Sequence, residues 1–198
     1  MDTSWELEHA HRIGREVQRL RKLAKLTAQQ LGDRTDGLGL KMTRQAISDL
    51  ENGRRRYVTT AELIILSAAL NTSPVNLVFP GPYDGRVELL PGRREEYEFR
   101  AVQWFSGIEW HGLVSVDGDD NAADQWNETT ENLRMWRQLA DLELERMKTQ
   151  FRMVKDADRG RDDPAIRAVL EAYKGALAAN NVAIEQLRRQ LGIEDSDA

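Results

Sequence analysis

The sequence predicts an all-α protein in three parts: five short helices within residues 8–80, a linker and small aromatic-rich segment over 81–120, and a long helical hairpin or coiled coil over 121–192. Two patterns carry the prediction. In the first part, apolar residues recur three and four apart between residues that cap helices. In the last part they recur every seven, over stretches of about 30 residues.

Within residues 9–25, Ile13, Val17, Leu20, Leu23 and Ala24 mark the buried face of a first helix, and Arg12, Arg15, Arg19, Arg21, Lys22 and Lys25 lie mostly elsewhere. Thr27 caps a second helix, from Ala28 to about Arg34, with Leu31 inward. The run TDGLGL at 35–40, with its aspartate and two glycines, breaks that helix. Thr43 caps a third helix whose Ala46, Ile47 and Leu50 face the core, and Gly53 ends it in a left-handed turn. Thr60 opens a fourth helix through Leu63, Ile64, Leu66, Ala69 and Leu70. Ser73 and Pro74, a cap followed by a first-turn proline, open a short fifth helix through Leu77 and Phe79.

The most informative stretch is 42–56, MTRQAISDLENGRRR. A capped helix with a polar outer face, two buried apolar positions and a Glu-Asn-Gly stop is followed at once by three arginines. Such a helix offers hydrogen-bonding side chains to a nucleic-acid groove, with phosphate-binding cations beside it. Charge is distributed to match. Residues 12–56 hold 12 Lys/Arg against 5 Asp/Glu, whereas residues 81–198 hold 16 against 24, so the net charge of -5 conceals a basic front and an acidic remainder.

The segments Leu26-Thr27-Ala28-Gln29-Gln30-Leu31 and Thr43-Arg44-Gln45-Ala46-Ile47-Ser48-Asp49-Leu50-Glu51-Asn52-Gly53, with the apolar run 63–70 and Ser73, resemble the XRE-type helix-turn-helix family, the lambda-repressor and Cro class of bacterial and phage regulators. The resemblance covers residues 13–79 and implies a five-helix DNA-binding domain. It implies that Arg44, Gln45, Ser48 and Asp49 face base edges, although Ser48 and Asp49 read equally well as solvated surface. Arg can grip guanine, and Gln adenine, through two hydrogen bonds. By the same resemblance Thr27 and Gln29 contact phosphate or support the reading helix, and Asn52, Arg54, Arg55 and Arg56 hold the backbone; Thr43, the cap of that helix, is counted with them as a DNA-binding residue. Glu51 is expected to be a structural tie, since phosphate repels a carboxylate. The sequence departs from the family at two places: the connector through 36–42 is about five residues longer than usual, making Lys41 a further candidate contact, and Gly32 replaces a customary alanine.

Pro80-Gly81-Pro82 and Asp84-Gly85 mark a boundary. Beyond it, RVELL at 86–90 suits a short strand, and 95–106 a helix with Tyr97, Ala101, Trp104 and Phe105 at helical spacing. The aromatics as far as Trp110 form a small packing surface.

In the last part, Trp126, Leu133, Ala140, Met147 and Val154 are seven apart, with Thr130, Trp136, Leu144 and Phe151 between them. A second helix carries Leu170, Leu177, Ile184 and Leu191 on one line and Ile166, Tyr173, Asn180 and Leu187 on another. The turn at 155–164 ends in a capping aspartate and Pro164. Leu170, Tyr173, Leu177, Asn180, Ile184 and Leu187 are therefore expected to form an oligomerisation seam, with Asn180 fixing register. The competing reading is a monomer whose hairpin folds back on the middle segment.

Other chemistry finds little support. The absence of cysteine excludes disulfides and cysteinyl metal sites. His9, His11 and His111 read as surface residues, and no metal or cofactor is expected. Asp117, Asp119, Asn121 and Glu128 echo a calcium loop, but Ala122 stands where the turn requires glycine, so 117–124 reads as a solvated acidic linker. A self-cleaving Ser-Lys tail needs a β-rich C-terminal domain, which the helical pattern excludes. No catalytic set converges, so the chain is not expected to be an enzyme. No apolar run approaches a membrane span and the first residues are too polar for a secretory signal, so a cytoplasmic, nucleoid-associated protein is expected. The expected partners are a double-stranded DNA operator and a second copy bound through the C-terminal helices. The alternative is an antitoxin or adaptor whose acidic hairpin binds a foreign protein.

Overall fold

The computed structural model describes residues 4–112, 119–158 and 163–193. The chain divides into two units, Met1–Asp120 and Asn121–Ala198. Asp117 of the calcium-like pattern and residues 159–162 of the interhelical turn lie outside the described residues.

Helix α1 (Trp5–Leu23) begins four residues upstream of the expected start. Glu6 and Glu8 in its first turn and Arg21 and Lys22 in its last complement the helix dipole. The Trp5 indole anchors the new start by donating to the Glu88 carbonyl at 3.0 Å. Helix α2 (Ala28–Gly37) opens with a capping box: the Thr27 hydroxyl accepts from the Gln30 amide, and the Gln30 side chain accepts from the Thr27 amide. The TDGLGL run stops this helix later than expected. Thr35 remains helical and fully buried, its hydroxyl donating to the Gly32 carbonyl at 2.8 Å and accepting from the Met42 amide at 3.0 Å. One hydroxyl thus folds the connector back along α2 and seats Met42 in the core.

Helix α3 (Arg44–Glu51) is capped by Thr43, whose hydroxyl accepts from the Ala46 amide at 3.1 Å, and Gly53 adopts the expected left-handed φ of 67°. Eight residues are too few for a helix to persist alone. Ile47 and Leu50 hold it by full burial, each worth about 1.5–3 kcal/mol. Helix α4 (Thr60–Ala69) is capped by Thr59, one residue before the expected start, because Glu62 completes a capping box with it. Helix α5 (Pro74–Val78) uses its first-turn proline, while the Ser73 side chain makes no capping hydrogen bond.

The expected boundary at Pro80 does not end the core. Strand β1 (Arg86–Val87) pairs antiparallel with β2 (Glu96–Tyr97), and helix α6 (Glu98–Phe105) follows. The strand at 86–90 is shorter than expected, and the helix at 95–106 gives up its first residues to β2. Val87, Leu89 and Ala101 join one buried cluster with Ile13, Val17, Leu31, Ile47, Leu50, Leu66 and Leu77. Residues expected to act as a linker therefore extend the helical core.

Unit two is a helical hairpin. Helix α7 (Ala122–Ala157) and helix α8 (Pro164–Gln190) run antiparallel, as the links Asp156–Tyr173 (3.0 Å) and Glu143–Arg188 (3.2 Å) require. Asp163 caps α8 by accepting from the Ala165 amide. The seam centres on Leu139, Ile184 and Leu187, flanked by Met135, Leu142 and Leu191. The face of α8 expected to bind another chain, Leu170, Tyr173, Leu177, Asn180, Ile184 and Leu187, is buried or half-buried. Ile184, Leu187 and Tyr173 meet α7 of the same hairpin. On α7, Met135, Leu139, Leu142, Arg146, Thr149 and Met153 make up the protected side, and Leu133, Trp136, Ala140, Leu144, Met147, Phe151 and Val154 face outward.

Helices α1 and α3 approach closely at Gly14, where a Cβ would overlap the Leu50 carbonyl oxygen of α3. Gly14→Ala must push α1 and α3 apart, and urea unfolding should show a loss of about 1–3 kcal/mol. Gly37→Ala, whose Cβ would meet nothing within 4 Å, should be neutral or stabilising by about 0.5–1 kcal/mol in the same assay. Equal behaviour of the two variants would contradict the packing described.

Candidate nucleic-acid interface

With Ile47 and Leu50 turned inward, helical periodicity leaves Arg44, Gln45, Ser48, Asp49 and Asn52 on the outer side of α3. Arg44, Gln45 and Asn52 are exposed; Ser48 and Asp49 are half-buried. The start of α2 lies beside this face. Thr27, Gln29, Arg44 and Ser48 line one open groove with Arg21, Leu26 and Ala28. Four residues singled out from two separate sequence segments therefore share one surface.

Several contacts fix that surface from behind. Arg21 of α1 grips Glu51 at the end of α3 through two bonds of 2.6 Å, and its third nitrogen donates to the Leu26 carbonyl just before α2. The Glu51 bond is the foremost cause of the raised Arg21 pKa. Glu51 is thus the structural tie expected of it. A His11 ring nitrogen lies 2.7 Å from the Gly53 carbonyl, holding the turn after α3. A Cβ on Gly32 would stand 2.7 Å from the Met42 carbonyl oxygen. The customary alanine would not fit there while the long connector folds along α2.

The electrostatics of the face are uneven. Neither α2 nor α3 carries an acid in its first turn, unlike α1, α4 and α6, so both positive helix ends are open to an anion. Arg44 occupies the first position of α3, where the dipole disfavours a cation, and it has no ion-pair or hydrogen-bond partner among the described residues. Asp49 accepts from Gln45 at 2.9 Å and from Arg54 at 3.3 Å, so its charge is offset within the face. Asn52 donates to the Ser48 carbonyl at 2.7 Å. Lys41 meets Asp36 at 3.3 Å and Arg56 lies 4.0 Å from Glu6; both pairs are exposed and weak.

A helix-turn-helix family model matches residues 17–77. Residues 17–77 form an XRE-type helix-turn-helix domain. No curated protein and no solved structure gives a match. In the helix-turn-helix domain, α2 and α3 are the motif pair, joined through the connector that Thr35 clamps. The match ends at Leu77, whereas the core runs on to Ala101, so β1, β2 and α6 are an extension beyond the family's span.

Arg55 has a different role from the one expected. It forms a two-bond pair with Glu62 at 2.7 and 3.0 Å, and both side chains are largely buried. The same Glu62 completes the cap of α4. Arg55 therefore ties the turn after α3 to α4. Burial alone would raise the Glu62 pKa, but hydrogen bonds from Arg55 and Thr59 outweigh it and hold the carboxyl below its ordinary value of 4.5. The histidines also differ from the surface reading: His9 stacks on Trp5 with ring centres 5.2 Å apart, and His111 is buried 2.8 Å from Glu96. Among the described residues no group of three or more His, Cys, Asp or Glu is placed to hold a metal, and no helix is long and apolar enough to cross a membrane.

Sequence reasoning missed Arg21, Gly14 and His11. Only Gly14, a glycine inside an amphipathic helix, carried a local signal.

Because the Glu62 pKa is depressed on folding, its stabilisation is complete above the ordinary carboxyl value and is lost as pH falls below about 4.5. Arg55→Ala should cost about 1–2 kcal/mol at neutral pH and narrow the stability difference between neutral pH and about pH 3. Denaturant titration at both pH values checks this; an unchanged acid sensitivity would contradict it.

Proposed function

We propose that this protein is a sequence-specific DNA-binding regulator of transcription, a nucleoid-associated repressor that reads an operator duplex with α3. The observation that carries the reading is Arg44: an exposed guanidinium with no described partner, at the forward end of α3 and sharing a groove with Thr27, Gln29 and Ser48. An eight-residue helix is about 12 Å long, comparable to the width of the major groove. Arg44 is suited to the two acceptors of guanine, and Gln45, once released from Asp49, to the paired donor and acceptor of adenine. Thr27, Gln29 and the α2 amides face phosphate on one flank; Lys41, Asn52, Arg54 and Arg56 face it on the other. Roughly half or more of the contacts then go to backbone, which makes affinity fall steeply with salt.

The rival reading, an antitoxin or adaptor that holds a foreign protein while the helix-turn-helix autoregulates, draws on the outward apolar side of α7.

Arg44→Ala should lower discrimination between operator and base-substituted duplexes by about 1–3 kcal/mol. Arg56→Ala should weaken all duplexes alike and reduce the salt slope by about one. Fluorescence anisotropy over a salt series distinguishes them. Selectivity unchanged in Arg44→Ala would sink this assignment of the reading residue.

A further inference from the structure

Helix α7 carries apolar residues on two opposite faces. One packs on α8; the other holds Leu133, Trp136, Ala140, Met147, Phe151 and Val154, with Leu144 at its centre. The outer line stays open to solvent: Leu133 is 46% exposed, Trp136 48%, Leu144 42%, Met147 59%, Phe151 71% and Val154 63%. These fractions sum to on the order of 700 Å² on a single helix face, close to the roughly 800 Å² per partner of a stable protein interface. Scattered exposed apolar residues are ordinary, but a continuous stripe of this size marks an interaction surface. The large exposed apolar residues of α8 are only Val169 and Val182, so the surface belongs to α7.

The order of residues in the stripe identifies the occupant. Leu133 and Val154, Trp136 and Phe151, and Ala140 and Met147 lie at equal distances either side of a midpoint between Glu143 and Leu144. A two-fold axis at that midpoint, with a second α7 running antiparallel, sets each of these six residues against an apolar residue and the small Ala140 against the long Met147. The two Leu144 side chains meet at the centre. A face that matches itself under a two-fold is the requirement for an isologous pair. The flanks largely agree. Asp141 of one copy falls beside Lys148 of the other on both sides of the axis, and Arg137, which interrupts the stripe, falls beside Gln150 and the Phe151 ring. Glu143, next to the axis, is already paired with Arg188 at 3.2 Å. Arg134 and Lys155 meet as like charges at the ends, where solvent and salt screen them.

We infer that the outer stripe of α7 is a homodimer interface, occupied by α7 of a second copy in antiparallel register about Glu143–Leu144. It takes the place of the α8 line that the sequence suggested, since that line lies on the protected side of the hairpin. The association needs no duplex, and its test is independent of the DNA-binding reading.

The chain has no cysteine, so single cysteines report on register without background. Sedimentation of the full chain at roughly 10–50 μM should give a dimer. Phe151→Glu, an exposed change that should leave the circular dichroism unaltered, should raise the dissociation constant at least about tenfold. Leu144→Cys should oxidise to a covalent dimer, because the paired positions meet at the axis. Val154→Cys should not, because the two copies of that residue lie about 30 Å apart along the helix. A monomeric wild type, a Phe151→Glu protein that dimerises normally, or crosslinking of Val154→Cys as efficient as that of Leu144→Cys would each overturn the proposal.

Discussion

The orientation of α3, the helix proposed to read DNA, depends on one ion pair, Arg21 with Glu51. Both side chains are nearly withdrawn from water, at 13% and 4% exposure, and the guanidinium also holds the Leu26 carbonyl. One arginine therefore fixes the end of α1, the approach to α2 and the end of α3 together. Buried pairs of this kind add little net stability over apolar packing, yet removing one partner costs about 3–5 kcal/mol, so they set geometry more than they set stability. Gly14 lets the helices come close enough for the pair to form, and Thr35 keeps the lengthened connector from displacing α3.

The surface chemistry follows from that rigid arrangement. Half of the twelve cations of the basic front already have a carboxylate within 4.0 Å: Arg19 with Glu16, Arg21 with Glu51, Lys41 with Asp36, Arg54 with Asp49, Arg55 with Glu62 and Arg56 with Glu6. The gross count of basic residues thus overstates the number of cations available to a polyanion. Arg44 stands out because the helix dipole disfavours it where it is, an expense that a phosphate or a guanine edge would offset. The acidic remainder of the chain works against indiscriminate attraction to nucleic acid.

Local chemistry made much of this fold legible. Thr27, Thr43 and Asp163 cap the helices they were expected to cap, Gly53 makes the expected turn, and Ile47 and Leu50 are the buried positions of α3. Caps and periodicity are properties of a few adjacent residues, so a single sequence displays them. The Arg21–Glu51 and Arg55–Glu62 pairs are tertiary, and nothing near Arg55 distinguishes a structural arginine from a phosphate contact. Gly32 could be noticed as unusual, but its cause, the Met42 carbonyl, lies across the connector. The apolar line of α7 is legible in the sequence, but the oligomerisation seam was expected on α8, whose named residues lie on the protected side of the hairpin. Two stripes share the heptad period, and periodicity cannot say which one a neighbour will cover. Pro80, Gly81 and Pro82 resemble a boundary and suggest a linker beyond it, although Val87, Leu89 and Ala101 return the chain to the core.

The most direct test of the account is amide chemical-shift mapping of the full chain on titration with its operator duplex. The perturbed amides should cluster at 27–30 and 43–56, with those of α7 and α8 unmoved. Perturbations confined to other surfaces, or none at low ionic strength, would contradict the claim that the outer face of α3 enters the groove.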